Sequence, residues 1–247
     1  MVFPDLVGSI ERRPVPSRSR LWLPSIPNPK RMALASIWVA WMLSSVPLAI
    51  AADEDDALTS RPRAIMEETA DKVVAILARR DRPSEERVEA IKEIAYEIFD
   101  FQTMSKLVLA RNWRKLDSNQ RVEFVEEFKR HLSRTYGNRL DRYNQEKVDV
   151  YGAQVEPRDD VTIKTRILGG EFDGAEVAYR FRKREDQWRI IDVVIEGVSL
   201  VSNYRSQFAE VLGRSTIDDL LARLRDKNFQ LEEDEGKTVR QSSSARR

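Results

Sequence analysis

The hydrophobic pattern of this chain changes period twice. Up to Asn144 apolar residues recur every three to four positions, from Val148 to Val198 they alternate, and from Ser199 the helical period returns. Strands gathered in one block and joined by hairpin-length links pair antiparallel, because a parallel neighbour needs a long crossover. The flanking helices must then cover that block. The pattern predicts an α+β fold: a four-stranded antiparallel sheet with helices before and after it on one face, an arrangement that can also enclose an apolar pocket.

The helical blocks carry their own punctuation. The first is expected from Pro62, in its first turn, with Ile65, Thr69, Val73, Ile76 and Leu77 on one face. Asp81-Arg82-Pro83 breaks it, and Ser84 is expected to cap a second stripe of Val88, Ile91, Ile94, Ala95 and Ile98. Asp100 caps a short third helix with Met104, Leu107 and Val108. Asp117 to Gln120 reads as a capping box for the longest helix, where Phe124, Phe128, Leu132, Tyr136 and Leu140 recur in steps of four, reaching Tyr143. The expected strands are Val148–Val155, Val161–Ile167, Val177–Phe181 and Trp188–Val198, the last apolar on both faces. Ser199 and Ser215 are expected to cap the two closing helices.

The N-terminus reads as an address. Residues 1–31 are rich in Pro and Arg; Lys30-Arg31 then precede an apolar run from Met32 to Ile50 that ends in Ala49-Ile50-Ala51. A positive flank, an apolar core and small residues before the scission point form the secretory signal pattern, and Pro47 near the end of the run argues against a membrane span. Residues 1–51 are therefore expected to be a signal peptide with its pre-region, with a start downstream of Met1 as an open reading. A polar lead-in follows over 52–61, the folded domain over 62–228, and a disordered tail over 229–247. Six of the 42 basic and two of the 41 acidic residues lie in 1–51, so the remainder carries a net charge of about −3. In a Gram-negative cell this is an exported, periplasmic chain.

Composition removes much chemistry. There is no cysteine, hence no disulfide, thiol nucleophile, thiolate zinc site or iron–sulfur cluster. The one histidine, His131, reads as a partly exposed helix residue. The near-neutral charge gives no field directed at nucleic acid. No phosphate loop, metal-ligand set or nucleophile elbow is present, so no cofactor and no metal are expected. Asp192 and Glu196, four apart on the last expected strand and facing one side, are the remaining acid–base candidates; pairing with Arg180, Arg182 or Arg189 is the plainer expectation.

Two stretches carry a resemblance. One runs from Leu107 through Arg111, Trp113, Leu116 and Gln120 to Phe124 and Phe128, continuing to Leu132, Tyr136 and Tyr143. The other runs from Asp192 through Glu196-Gly197-Val198-Ser199-Leu200 to Asn203, Tyr204 and Phe208. Together they resemble the MlaC family, also called toluene-tolerance auxiliary proteins, over Pro62–Asn228. One departure is Ala110, where relatives often carry glycine before the basic residue, which here is Arg111.

The resemblance implies a soluble shuttle without catalytic residues. It would hold phospholipid with its acyl chains between helices and sheet. It would exchange that lipid with an MCE-domain protein of an inner-membrane ABC transporter and with an outer-membrane lipoprotein complex. Candidate wall residues are Leu107, Phe128, Tyr136 and Leu140 from helices, Val177, Tyr179, Phe181 and Ile190 from strands, and Val198 and Leu200 near the turn. Tryptophan at Tyr136 or Phe181 is expected to fill such a pocket. Two alternatives stay open here: a carrier of hopanoid or another polycyclic lipid within the same family, and an enzyme on a related cone-like fold using Asp192 or Glu196.

Overall fold

The computed structural model describes residues 50–137, 146–228 and 230, with side chains described from Asp55 onward. Helix α1 spans Ile50–Leu77, α2 Ser84–Ile98, α3 Phe101–Leu109 and α4 Ser118–Gly137, with a 3₁₀ turn over Ala110–Lys115 between the last two. Strands β1 (Lys147–Val155), β2 (Val161–Leu168), β3 (Glu176–Arg184), β4 (Gln187–Ile195) and β5 (Val198–Ser199) follow, then α5 (Leu200–Leu212) and a helix α6 over 217–228. All strands join one sheet in the order β1-β2-β3-β4-β5, every pair antiparallel.

The sheet has five strands where the pattern suggested four. The expected last strand is cut at Glu196-Gly197, which take φ of 48° and 79°. Two consecutive residues in that region make the tight hairpin turn whose twist suits antiparallel neighbours, so the chain reverses and Val198-Ser199 pair back onto Ile195 and Val194. Glu185-Asp186 make the same kind of turn between β3 and β4, with φ of 48° and 63°. Glu196 is thus a turn residue and not the strand partner of Asp192. As expected, β4 is covered on both faces, with Ile190, Ile191, Asp192 and Val193 all buried in succession.

Several helix ends differ from the reading of the sequence. Helix α1 begins before Pro62, which lies inside it and is buried, and runs through the residues taken as a polar lead-in. Its working face is Met66, Thr69, Ala70 and Leu77. Pro83, not Ser84, stands at the N-cap of α2, with no side-chain bond closing that end. Helix α6 is capped by Thr216, whose hydroxyl accepts the Asp219 N–H at 3.2 Å while Asp219 accepts the Thr216 N–H at 2.9 Å. The other caps are as expected. Asp117 accepts from Gln120 N–H at 2.9 Å and the Gln120 side chain accepts from Asp117 N–H at 3.1 Å, which starts α4. Asp100 accepts from Thr103 N–H at 2.7 Å.

Two apolar clusters hold these elements. In the first, α3, α4, α5 and α6 pool Met104, Val108, Leu116, Leu132, Leu220 and Leu221 around an aromatic knot. Phe128 lies edge-on to Tyr204 and to Phe208, with centroids 5.3 Å and 5.8 Å away, and Phe124 stacks beside it. In the second, Met66 and Ala70 of α1 pack on Val161, Ile163, Phe181, Ile190 and Val193 of the sheet, with Leu200. Phe99 and Tyr136 pack against both clusters. They mark where the helical layer meets the inner face of the sheet.

Candidate functional site

The sheet register sorts the inner face into rows. At one end Val155, Val161, Phe181 and Ile190 stand side by side. The next row is Ala153, Ile163, Tyr179 and Val193, and the third is Val150, Thr165, Val177, Ile195 and Val198. Two bulges keep these rows aligned, one at Tyr151 between Val150 and Gly152 and one where β4 holds an extra residue opposite Arg180 and Phe181. Each bulge resets the in–out alternation by one residue.

Exposure differs strand by strand. Val161, Ile163 and Thr165 of β2 are buried along the whole face, and Val150, Ala153 and Val155 of β1 are half-buried. On β3 to β5, Phe181 and Ile190 have no accessible surface, Tyr179, Val177 and Ile195 are half-buried, and Val198 exposes 42%. α1 crosses the inner face over β1 and β2, and the Arg63 guanidinium donates to the Val150 carbonyl at 2.9 Å beside the bulge. Tyr136 approaches from α4 and Ile98 from α2.

Tyr179 sits in the middle of this face. Its phenol is so enclosed that burial pushes its pKa up to about 12, yet the residue retains accessible surface and its hydroxyl has no hydrogen-bond partner among the described residues. Its hydroxyl is the one polar side-chain group on the second row.

The expected wall residues differ in burial. Val177, Tyr179 and Tyr136 are half-buried against the sheet cluster, and Leu200 is buried in it. Phe181 and Ile190 are fully packed in the sheet cluster, and Phe128 is fully packed in the helical cluster, so these three are core. Leu107 packs half-buried on the helical cluster, away from the sheet cluster. Val198 is exposed. Leu140 lies outside the described residues, as does the expected extension of α4 to Tyr143. The sequence reading omitted Val150, Thr165, Val193 and Ile195, which alternation alone could have nominated on β1 and β2 but which the bulges hid on β4.

The acid–base candidates are otherwise engaged. Asp192, 3% exposed, accepts the Ser199 hydroxyl at 2.6 Å and the Val201 N–H at 3.1 Å. Ser199 in turn accepts from Ser202 N–H at 3.0 Å, capping α5 as expected. None of the arginines expected beside Asp192 pairs with it: Arg182 grips Asp160 with two bonds of 2.7 Å and 2.6 Å, and Arg189 donates to Gln187 at 2.7 Å. Glu196 accepts the Glu176 N–H at 2.6 Å and closes the neighbouring loop. His131 keeps part of its surface, as expected of a partly exposed helix residue, and shares a 3.1 Å hydrogen bond with the Tyr204 hydroxyl. Burial, aided by Lys227 and opposed by Asn228, lowers its pKa to about 4. Among the described residues no three His, Asp or Glu side chains gather as a metal site, and no helix is long and apolar enough to cross a membrane.

A five-stranded antiparallel sheet with α1, Ile98 of α2 and Tyr136 of α4 packed on its apolar inner face defines an α+β fold. Comparison with known proteins gives it a family. The family model described as MlaC protein matches residues 67–226, so the chain belongs to the MlaC family. It is 26% identical over 131 residues to the toluene tolerance protein ttg2D of Pseudomonas putida, an alignment covering 53% of this chain and 61% of that relative. It shares its fold with the phospholipid-binding protein from Ralstonia solanacearum, whose structure was solved with a phospholipid. That match has a TM-score of 0.62 at 23% identity, covering 69% of this chain and 98% of the other.

Proposed function

We propose that this chain is a periplasmic lipid-binding shuttle. It carries phospholipid between an inner-membrane ABC transporter with an MCE-domain protein and an outer-membrane lipoprotein complex, and it is exported by a signal peptide cleaved near Ala51. The observation that carries this reading is the apolar inner face of β3 to β5, which keeps accessible surface at Tyr179, Val177, Ile195 and Val198. A lipid leaves a bilayer at a cost of about 0.8 kcal/mol for each CH₂ that meets water, so a carrier must offer its acyl chains a dry enclosure. The fold shared with a protein solved in complex with phospholipid supports the same cargo.

The reading assigns no chemistry to the chain. A general base needs a free lone pair aimed at a substrate, and both Asp192 oxygens accept bonds that hold the start of α5 in place. Glu196 is spent on a backbone N–H at the surface.

The test is native mass spectrometry of the full chain expressed in a Gram-negative host and recovered from the periplasmic fraction without detergent, followed by organic extraction. One phospholipid per chain, on a protein beginning at Ala52, is expected. A polycyclic lipid would change the cargo and keep the carrier. A lipid-free mass that liposomes do not alter would overturn the reading, and recovery only in the cytoplasm would overturn the export.

A further inference from the structure

The connection between α3 and α4 gathers cations that have no anionic partner. Arg111, Arg114 and Lys115 project from the 3₁₀ turn and are exposed. Lys106 and Arg121 stand over the Trp113 ring, 5.9 Å and 5.7 Å from its centroid. Arg205 reaches across from α5 and donates to the Leu107 carbonyl at 2.8 Å. None of the six lies within 4.0 Å of a carboxylate among the described residues. Elsewhere Arg63, Lys92, Lys129, Arg166, Arg182 and Arg225 each hold a carboxylate, while Lys72, Lys164 and Lys227 stand without one among the described residues but are not gathered around one ring.

A cluster of like charges repels itself, and nothing in the packing of α3 or α4 requires it. Three of its members are also held in place. Arg121 donates to the Trp113 carbonyl at 3.4 Å, Arg205 to Leu107, and the indole ring anchors Lys106 and Arg121. Guanidinium groups fixed in this way lose little freedom when they meet a carboxylate.

We propose that this surface around Trp113 is a docking site for an acidic protein surface. Charge complementarity selects carboxylates as the partner chemistry. A bilayer fits less well. Trp113 packs against the helical core with cations over its ring, so it is not free to enter an interface, and Val122 is the one large apolar side chain exposed on these elements. The site goes beyond the lipid reading and uses none of the inner-face residues.

The test uses a fluorescent poly-glutamate peptide and the full chain carrying Arg111→Glu, Arg114→Glu and Lys115→Glu together. These exposed positions leave the core untouched, and an unchanged melting curve checks that. The wild-type chain is expected to bind the peptide, losing affinity between about 0.05 M and 0.3 M salt as screening grows, and the triple variant to bind at least about tenfold more weakly. Equal binding by both proteins, or none by the wild type at low salt, overturns the proposal. So does tighter, charge-dependent binding to vesicles of phosphatidylcholine with about a quarter phosphatidylglycerol, which would assign the surface to membranes. Bound lipid measured on the same samples reports the carrier reading separately: its absence from the wild type would overturn that reading and leave the peptide result standing.

Discussion

The carboxylate of Asp192, in the middle of β4, accepts the hydroxyl of Ser199 at 2.6 Å, and Ser199 is the residue that caps α5. A second oxygen of Asp192 takes the Val201 N–H at 3.1 Å. One buried charge therefore fixes how the last helix leaves the sheet. It also explains the short Glu-Gly-Val-Ser segment: the Glu196-Gly197 turn brings Ser199 back beside the strand it has just left.

Asp192→Ala should destabilise the fold by about 2 kcal/mol, because it strands a buried N–H and a hydroxyl. Denaturant unfolding checks this. Asp192→Asn keeps one acceptor and should cost less. Both variants should still carry lipid; loss of lipid from a fully folded Asp192→Asn protein would contradict the structural role assigned to this residue.

Ala110 ends α3 with φ of 49° and ψ of −123°, a region that strains any residue with a β-carbon. The strain falls on the backbone where α3 gives way to the 3₁₀ turn. Ala110→Gly should raise stability by about 1 kcal/mol, read as a higher melting temperature.

Stability should fall on mild acidification through His131. Its folded pKa is about 4 against an ordinary 6.5, so the folded state resists the proton that the unfolded chain accepts. The stabilisation is complete above about pH 6.5 and is lost as pH falls toward 4, amounting to about 3 kcal/mol at the end of that window. Asp100 acts below this range: burial raises its pKa, but bonds from Thr103 and Arg184 outweigh that and hold it under the usual carboxylate value. His131→Gln should flatten the stability profile between pH 6.5 and 4, measured by urea unfolding across pH.

Tryptophan substitutions should separate wall from core. Val177→Trp, at a half-buried position of the third row, should reduce bound lipid severalfold while changing stability by less than about 1 kcal/mol. Phe181→Trp enters a site with no free surface and should cost about 2 kcal/mol by overpacking, whatever its effect on cargo. Native mass spectra and melting curves of the two variants give both readings.

Much of the fold was legible because local chemistry decides it. The Asp117 capping box, the Asp100 and Ser199 caps and the antiparallel strand block follow from hydrogen bonds and side-chain periodicity within a few residues. The fifth strand was missed because Glu196 occupies a positive φ that its side chain does not advertise. The extent of α1 was missed because Pro62 reads as a start, although the helix tolerates it inside.

The sequence by itself determined which residues are apolar, how they repeat and where α3, α4 and α5 are capped, and with them the α+β class and the resemblance that the family match bears out. Tertiary structure alone decided which apolar residues are sealed in the core and which keep accessible surface. Phe181 and Tyr179 share a strand, a face and an aromatic ring, yet one is sealed and the other keeps accessible surface. That difference comes from the bulges that align the rows and from how far α1 and the helical layer extend over them. Periodicity fixes the face a side chain occupies; only the packed neighbours fix what covers it.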